Sequence, residues 1–154
     1  MNILKFKINI QEDARESWGS TFSITLFAPV LQIGNLSISD TEGGNGNGRF
    51  DPGETVQIVV ECENTGHCDA YEILSVLQSS SPYITIQNST CTFDTLAWNG
   101  LKQAVYSATL AAEIAEGTVI DLNVNLSSDP YTTSQLYSLP VGLVMEDFES
   151  GGFA

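Results

Sequence analysis

Apolar and polar residues alternate with a period of two along most of this chain. Over residues 1–10, Leu4, Phe6, Ile8 and Ile10 share one face while Lys5, Lys7 and Asn9 share the other, the signature of a strand with one side buried. The same alternation predicts strands over 21–27, 30–38, 55–63, 72–78, 83–87, 91–96, 103–110, 118–126 and 134–144. Between them sit turn-forming clusters such as Asn64-Thr-Gly66, Ser80-Ser-Pro82, Trp98-Asn-Gly100 and Ser127-Ser-Asp-Pro130. Only 108–116 has helical propensity, and 113–117, which overlaps its end, reads better as a turn. Short strands at this spacing, with no helices between them, predict an all-β fold: an immunoglobulin-like β-sandwich with an additional N-terminal β-hairpin. A small barrel is the alternative architecture.

The pattern also divides the chain. Phe6–Ile10, a polar turn and Thr21–Leu26 resemble Leu122–Leu126, a polar turn and Gln135–Leu139, each turn carrying an aromatic, Trp18 or Tyr131. Residues 1–28 therefore read as a β-hairpin closing a preceding Ig-like module, 29–145 as a complete Ig-like sandwich, and 146–154 as a linker or the start of a following adhesin-like module. Two unrelated hairpins sharing ordinary alternation would look the same. An orphan hairpin has an apolar face to bury, against the complete module or against another copy of the chain in a dimer.

Composition narrows the partners. Five basic against nineteen acidic side chains give a formal charge of -14, so nucleic acid and anionic membrane surfaces would repel this chain. A 42% apolar content is enough for a core. No stretch approaches a membrane span, and Lys5 and Lys7 break any signal-peptide-like run; an export signal, if there is one, lies outside this sequence. Cys62 is in phase with Val56, Ile58 and Val60 and is expected to face the core. The cysteines Cys62, Cys68 and Cys91 are compatible with one disulfide and a free thiol, or with three thiols. They lack the paired spacing of a zinc site.

The densest chemistry lies in one loop, Asp40-Thr-Glu-Gly-Gly-Asn-Gly-Asn-Gly-Arg-Phe-Asp-Pro-Gly-Glu54, with four carboxylates, two Asn and five Gly. Against the twelve-residue calcium-loop template, Asn45, Asn47, Arg49, Asp51 and Glu54 take the third, fifth, seventh, ninth and twelfth places. Gly48 takes the sixth, where the backbone turns sharply, and Phe50 the eighth, which points inward. Gly43 stands at the first place where an Asp is expected, so Asp40 or Glu42 would supply that oxygen. An oxygen-only donor set suits a hard cation, and the expected ligands are Asp40, Asn45, Asn47, Arg49, Asp51 and Glu54 around Ca²⁺. The competing reading is a solvated Gly/Asn turn that binds nothing.

Asn45-Gly-Asn-Gly-Arg-Phe-Asp-Pro-Gly-Glu54, then Val56–Val60, then Glu63-Asn-Thr-Gly66 resembles the Ig-like modules of large secreted proteins from Bacteroidetes-type bacteria. Glu146-Asp-Phe-Glu-Ser-Gly151 resembles the start of the cleaved-adhesin domain that often comes after them. The arrangement is similar to the region after the catalytic domain of gingipain-like cysteine peptidases. The resemblance implies a non-catalytic module, secreted or on the bacterial cell surface, that spaces or stabilises a peptidase or adhesin. Its partners would be neighbouring domains of the same polypeptide, or host protein or glycan.

Catalysis within this chain is not expected. His67 and Cys68 are adjacent and point apart in an extended chain, whereas a nucleophile and its base converge from separate elements. Carboxylates such as Asp69, Glu72, Asp94 and Asp129 lie in or beside turns, where solvation is their ordinary role. Trp18, Tyr71, Tyr83, Trp98, Tyr106, Tyr131 and Tyr137 could form a carbohydrate platform, Trp98 at a turn tip being the best placed. Tyr83, Ile84 and Ile86 are expected to be buried.

Overall fold

The computed structural model describes the backbone of residues 2–11 and 17–142, and the side chains of 21 and 23–142. The expected start of a following module at 146–154, and Trp18 of the aromatic platform, lie outside the described positions.

Among the described residues ten strands occur in chain order: β1 Asn2–Gln11, β2 Ser17–Leu26, β3 Leu31–Ser39, β4 Thr55–Asn64, β5 Ala70–Gln78, β6 Ile84–Asn88, β7 Thr90–Leu96, β8 Gly100–Leu110, β9 Val119–Ser128 and β10 Tyr131–Pro140. Every expected strand is present, and the stretch with helical propensity forms turns after β8. β1 and β2 pair only with each other. The rest form two antiparallel sheets, β3-β4-β8-β6 and β10-β9-β5-β7. In immunoglobulin lettering the first is A-B-E-D, and the second is G-F-C with β7 added beside C. The chain is thus an all-β, immunoglobulin-like sandwich with an added N-terminal hairpin.

The period-two pattern explains why the sheets close on each other. Val56, Ile58, Val60 and Cys62 of β4 and Ala104, Tyr106, Ala108 and Leu110 of β8 turn inward. They meet Ile120, Leu122, Val124 and Leu126 of β9, with Ile73 and Leu77 of β5, in one core. Each large side chain so buried contributes about 1.5–3 kcal/mol. Tyr106 is therefore core and not part of an exposed platform, its hydroxyl bonded to buried Ser75. Burial, only partly offset by that bond, pushes its pKa up to about 12. Tyr137 is half-buried, bonding the Gly34 carbonyl to tie β10 to β3. Tyr83, expected inside, is exposed, while Ile84 and Ile86 pack half-buried on the core. Tyr83 lies in the turn before β6, an edge strand of the first sheet, where nothing covers it. Cys62, Cys68 and Cys91 are all free thiols.

The two ends of the sandwich differ. At one end the chain enters through Pro29, held against the β4–β5 turn by Thr65 N–H donating to the Val30 carbonyl (2.9 Å) and His67 N–H to that of Ala28 (3.0 Å). At the other end it leaves through Val141 and Gly142, beside the loop that joins β3 to β4.

Candidate metal-binding loop

The β3–β4 loop is organised around a buried carboxylate. Asp40, at the end of β3, accepts the Asn47 N–H at 2.8 Å on Oδ2 and the Gly48 N–H at 3.0 Å on Oδ1. Burial raises its pKa, but the N–H groups of Gly48, Asn47, Asp40 and Gly46 outweigh it, and the carboxyl titrates below its ordinary 3.8. Gly46 and Gly48 reach it by taking positive φ, 76° and 73°, a conformation open to glycine without a Cβ clash. Glu42, the other candidate for the template's first place, faces outward and accepts from Gln57 Nε2 at 3.2 Å.

The remaining expected ligands gather over the same turn. Asp51 Oδ2 accepts Asn45 Nδ2 at 3.1 Å and Asn47 Nδ2 at 2.7 Å. Asn45 Oδ1 accepts Asn47 N–H at 3.0 Å, and Asn47 Oδ1 accepts Arg49 N–H at 2.8 Å. Glu54 Oε1 accepts Asn45 N–H at 2.9 Å. Its second oxygen, Oε2, is buried without a hydrogen-bond partner. A Cβ added to Gly44 would stand 2.7 Å from that oxygen and 2.8 Å from Asp40 Cβ, so Gly44 leaves a small cradle between two acids. The structure thus draws Asp40, Asn45, Asn47, Asp51 and Glu54 into one network; Arg49 joins it through its backbone, its side chain exposed. Among the described residues no three His, Cys, Asp or Glu side chains form a ready-made metal cage.

The loop also clamps the far end of the sandwich. Phe50 turns inward and is buried, as the template expects. Its carbonyl accepts the Gly142 N–H at 3.0 Å, while the Glu54 carbonyl accepts the Leu110 N–H at 3.0 Å. The segment leaving β10 and the end of β8 are both pinned to residues of this loop.

Sequence reasoning missed the role of Asn64. Buried at the end of β4, its Oδ1 accepts the N–H groups of Val30 and Gly66, both at 3.1 Å. Its Nδ2 donates to the carbonyls of Cys68 (2.8 Å) and Leu96 (3.1 Å). A Cβ on Gly66 would lie 2.4 Å from both the Ala28 oxygen and the Val30 nitrogen, so only glycine lets the incoming chain pass. The Asn-Thr-Gly signal is visible in the sequence, but two of the Asn64 partners, Val30 and Leu96, lie more than thirty residues away.

The His67 ring meets Phe27 edge-on, centroids 6.3 Å apart. Of the platform aromatics, Trp98, Tyr71, Tyr83 and Tyr131 are exposed.

No family model matches this chain, and no curated protein does. Among solved structures it is similar to the ASH / PapD-like domain of human CEP192 (PapD-like domain 7), at 18% identity and a TM-score of 0.42, over 72% of this chain and 82% of that one.

Proposed function

We propose that this chain is a non-catalytic, extracellular Ig-like module of a secreted multidomain peptidase or adhesin, acting as a spacer held rigid by one Ca²⁺ in the β3–β4 loop. The observation that carries the reading is Glu54 Oε2, a buried carboxylate oxygen with no hydrogen-bond partner beside the buried Asp40. A carboxylate oxygen shut away from solvent without a donor is unfavourable unless a counter-charge compensates it. Asp40, Asn45, Asn47, the Arg49 carbonyl, Asp51 and Glu54 would hold the ion, which when bound neutralises the loop's carboxylates. The chain's own part is mechanical: Phe50 anchors the loop in the core, and its carbonyl fixes Gly142, where the polypeptide leaves. With attachment points at opposite ends of a sandwich about 30 Å long, an ordered loop sets the direction in which the polypeptide departs.

A thermal melt in millimolar calcium against excess chelator tests the reading. If the dissociation constant lies about a hundredfold below the calcium level, binding adds about 2.7 kcal/mol, a rise of roughly 5–10 °C. Asp51→Ala and Glu54→Ala should abolish that rise. A melt indifferent to calcium would reduce the loop to a turn.

A further inference from the structure

At the end of the sandwich opposite the loop, the β4–β5 and β9–β10 turns and the incoming chain enclose a cleft of about 410 Å³, within the size range of small-ligand sites. Three aromatics line it with their rings accessible: Tyr71 is 61% exposed, Phe27 58% and Tyr131 38%. Three carboxylates, Asp69, Glu72 and Asp129, stand among them, and among the described residues no Lys or Arg lines the cleft.

The backbone of β5 builds this juxtaposition. In a regular strand Tyr71 and Glu72 would point to opposite faces. Here Glu72 takes φ 50°, and the β5–β7 register passes from Tyr71↔Thr95 to Ile73↔Phe93 without pairing Glu72. The left-handed backbone at Glu72 breaks the alternation without shifting the register, and Tyr71 and Glu72 are consecutively exposed, both lining the cleft. Two bonds hold the frame: Ser128 Oγ donates to the Tyr71 carbonyl at 2.6 Å, and Asp69 Oδ1 accepts the Trp98 N–H at 2.8 Å.

We propose that this cleft docks an arginine or lysine side chain presented by a partner polypeptide. Aromatic faces beside carboxylates attract an organic cation twice, through the ring quadrupole and through charge. Carboxylates are acceptor-only when ionised, and a guanidinium offers five donors and no acceptor, so the two are complementary. A neutral sugar could stack on the rings and donate hydroxyls to the carboxylates, but it carries no charge to offset three negative ones, as a guanidinium or ammonium does. The formal charge of -14 raises the local concentration of a basic partner before contact. The site is independent of the calcium reading, because it shares no residue with the β3–β4 loop.

The test is a titration of dansyl-labelled Gly-Arg-Gly-Arg-Gly peptide, followed by anisotropy at about 150 mM salt to screen the general field. It is run in chelator as well as in calcium, beside the same peptide with citrulline for arginine. The arginine peptide should bind about tenfold more tightly than the citrulline one, in both buffers. The Glu72→Gln/Asp129→Asn double variant should lose that preference. Glu113→Gln/Glu116→Gln removes the same charge from the β8–β9 connection and should bind within about twofold of the unaltered protein. Equal losses in the two variants would reduce the effect to net charge and overturn the proposal. So would equal binding of the citrulline peptide, or displacement of the arginine peptide by a chito-oligosaccharide, which would make the cleft a glycan site. Amide shifts on the unaltered protein decide the matter without relying on a variant's folding. Perturbation centred on Tyr71, Glu72, Asp129 and Tyr131 supports the site, and perturbation centred on 40–54 overturns it.

Discussion

Two polar side chains, each placed where the strand pattern leads into a turn, set the conformation of the sandwich ends. Asn64 joins four backbone groups from three segments. Asn64→Ala would leave those donors and acceptors buried and unpaired, a loss of about 3 kcal/mol or more, read as a lower urea midpoint. Asp40 acts through charge. Because its folded pKa lies below 3.8, the carboxylate's contribution is present above that value and is lost as pH falls through the folded value. Unfolding in chelator should therefore show a steep loss of stability below about pH 4 that Asp40→Asn lacks; parallel profiles would contradict the role given to this group. Neither role was legible in the sequence beyond the residue type. Asp40 was a candidate ligand because acids and glycines crowd around it, but its bonds to Asn47 and Gly48 depend on how the loop folds back.

Elements were far more legible than side-chain roles. A strand buried on one face must alternate, so β4, β8 and β9 read directly as Val56-Ile58-Val60, Ala104-Tyr106-Ala108 and Ile120-Leu122-Val124. Alternation misassigned Tyr83, which precedes an edge strand and stays exposed, whereas residue type alone placed Tyr106 among the platform aromatics although its phase in a central strand buries it. Nor could alternation show that β7, after β6 in sequence, crosses to the other sheet beside β5, since pairing partners leave no mark on period two. The break in the alternation of β5 was equally silent, because Glu72 is an ordinary residue in an unusual conformation. Positive φ on a non-glycine residue is unfavourable by about 1–2 kcal/mol, part of which glycine would return to the unfolded chain as entropy. Glu72→Gly should thus stabilise the domain by about 0.5–1 kcal/mol in urea unfolding while weakening binding of the basic peptide. A loss of stability would mean that the Glu72 side chain holds this backbone conformation by contacts of its own.

At the scale of the molecule, the sandwich has one end that receives the chain and another that releases it, and only the second carries the acidic loop. The receiving end is fixed by neutral hydrogen bonds around Asn64 and by the close passage of Gly66, none of which involves the β3–β4 loop. The releasing end depends on a loop that holds the buried Asp40 and a buried Glu54 oxygen with no hydrogen-bond partner. A spacer rigidified by calcium should accordingly respond at one end. Amide exchange measures that response, because Gly142 and Leu110 donate to Phe50 and Glu54 of the loop, while Thr65 and His67 donate to the incoming chain. Under conditions where exchange proceeds by local opening, calcium should slow Gly142 and Leu110 by up to about a hundredfold, the factor matching 2.7 kcal/mol of linkage. Thr65 and His67 should exchange at nearly the same rate with calcium or chelator. Uniform slowing of all four would indicate that the ion stabilises the whole fold without directing its exit, leaving a stabilised module but not a calcium-set spacer. Slowing confined to Gly142 and Leu110 would mean that the polypeptide beyond residue 142 is oriented only where calcium is plentiful, so that ambient calcium governs the geometry between this module and its neighbour.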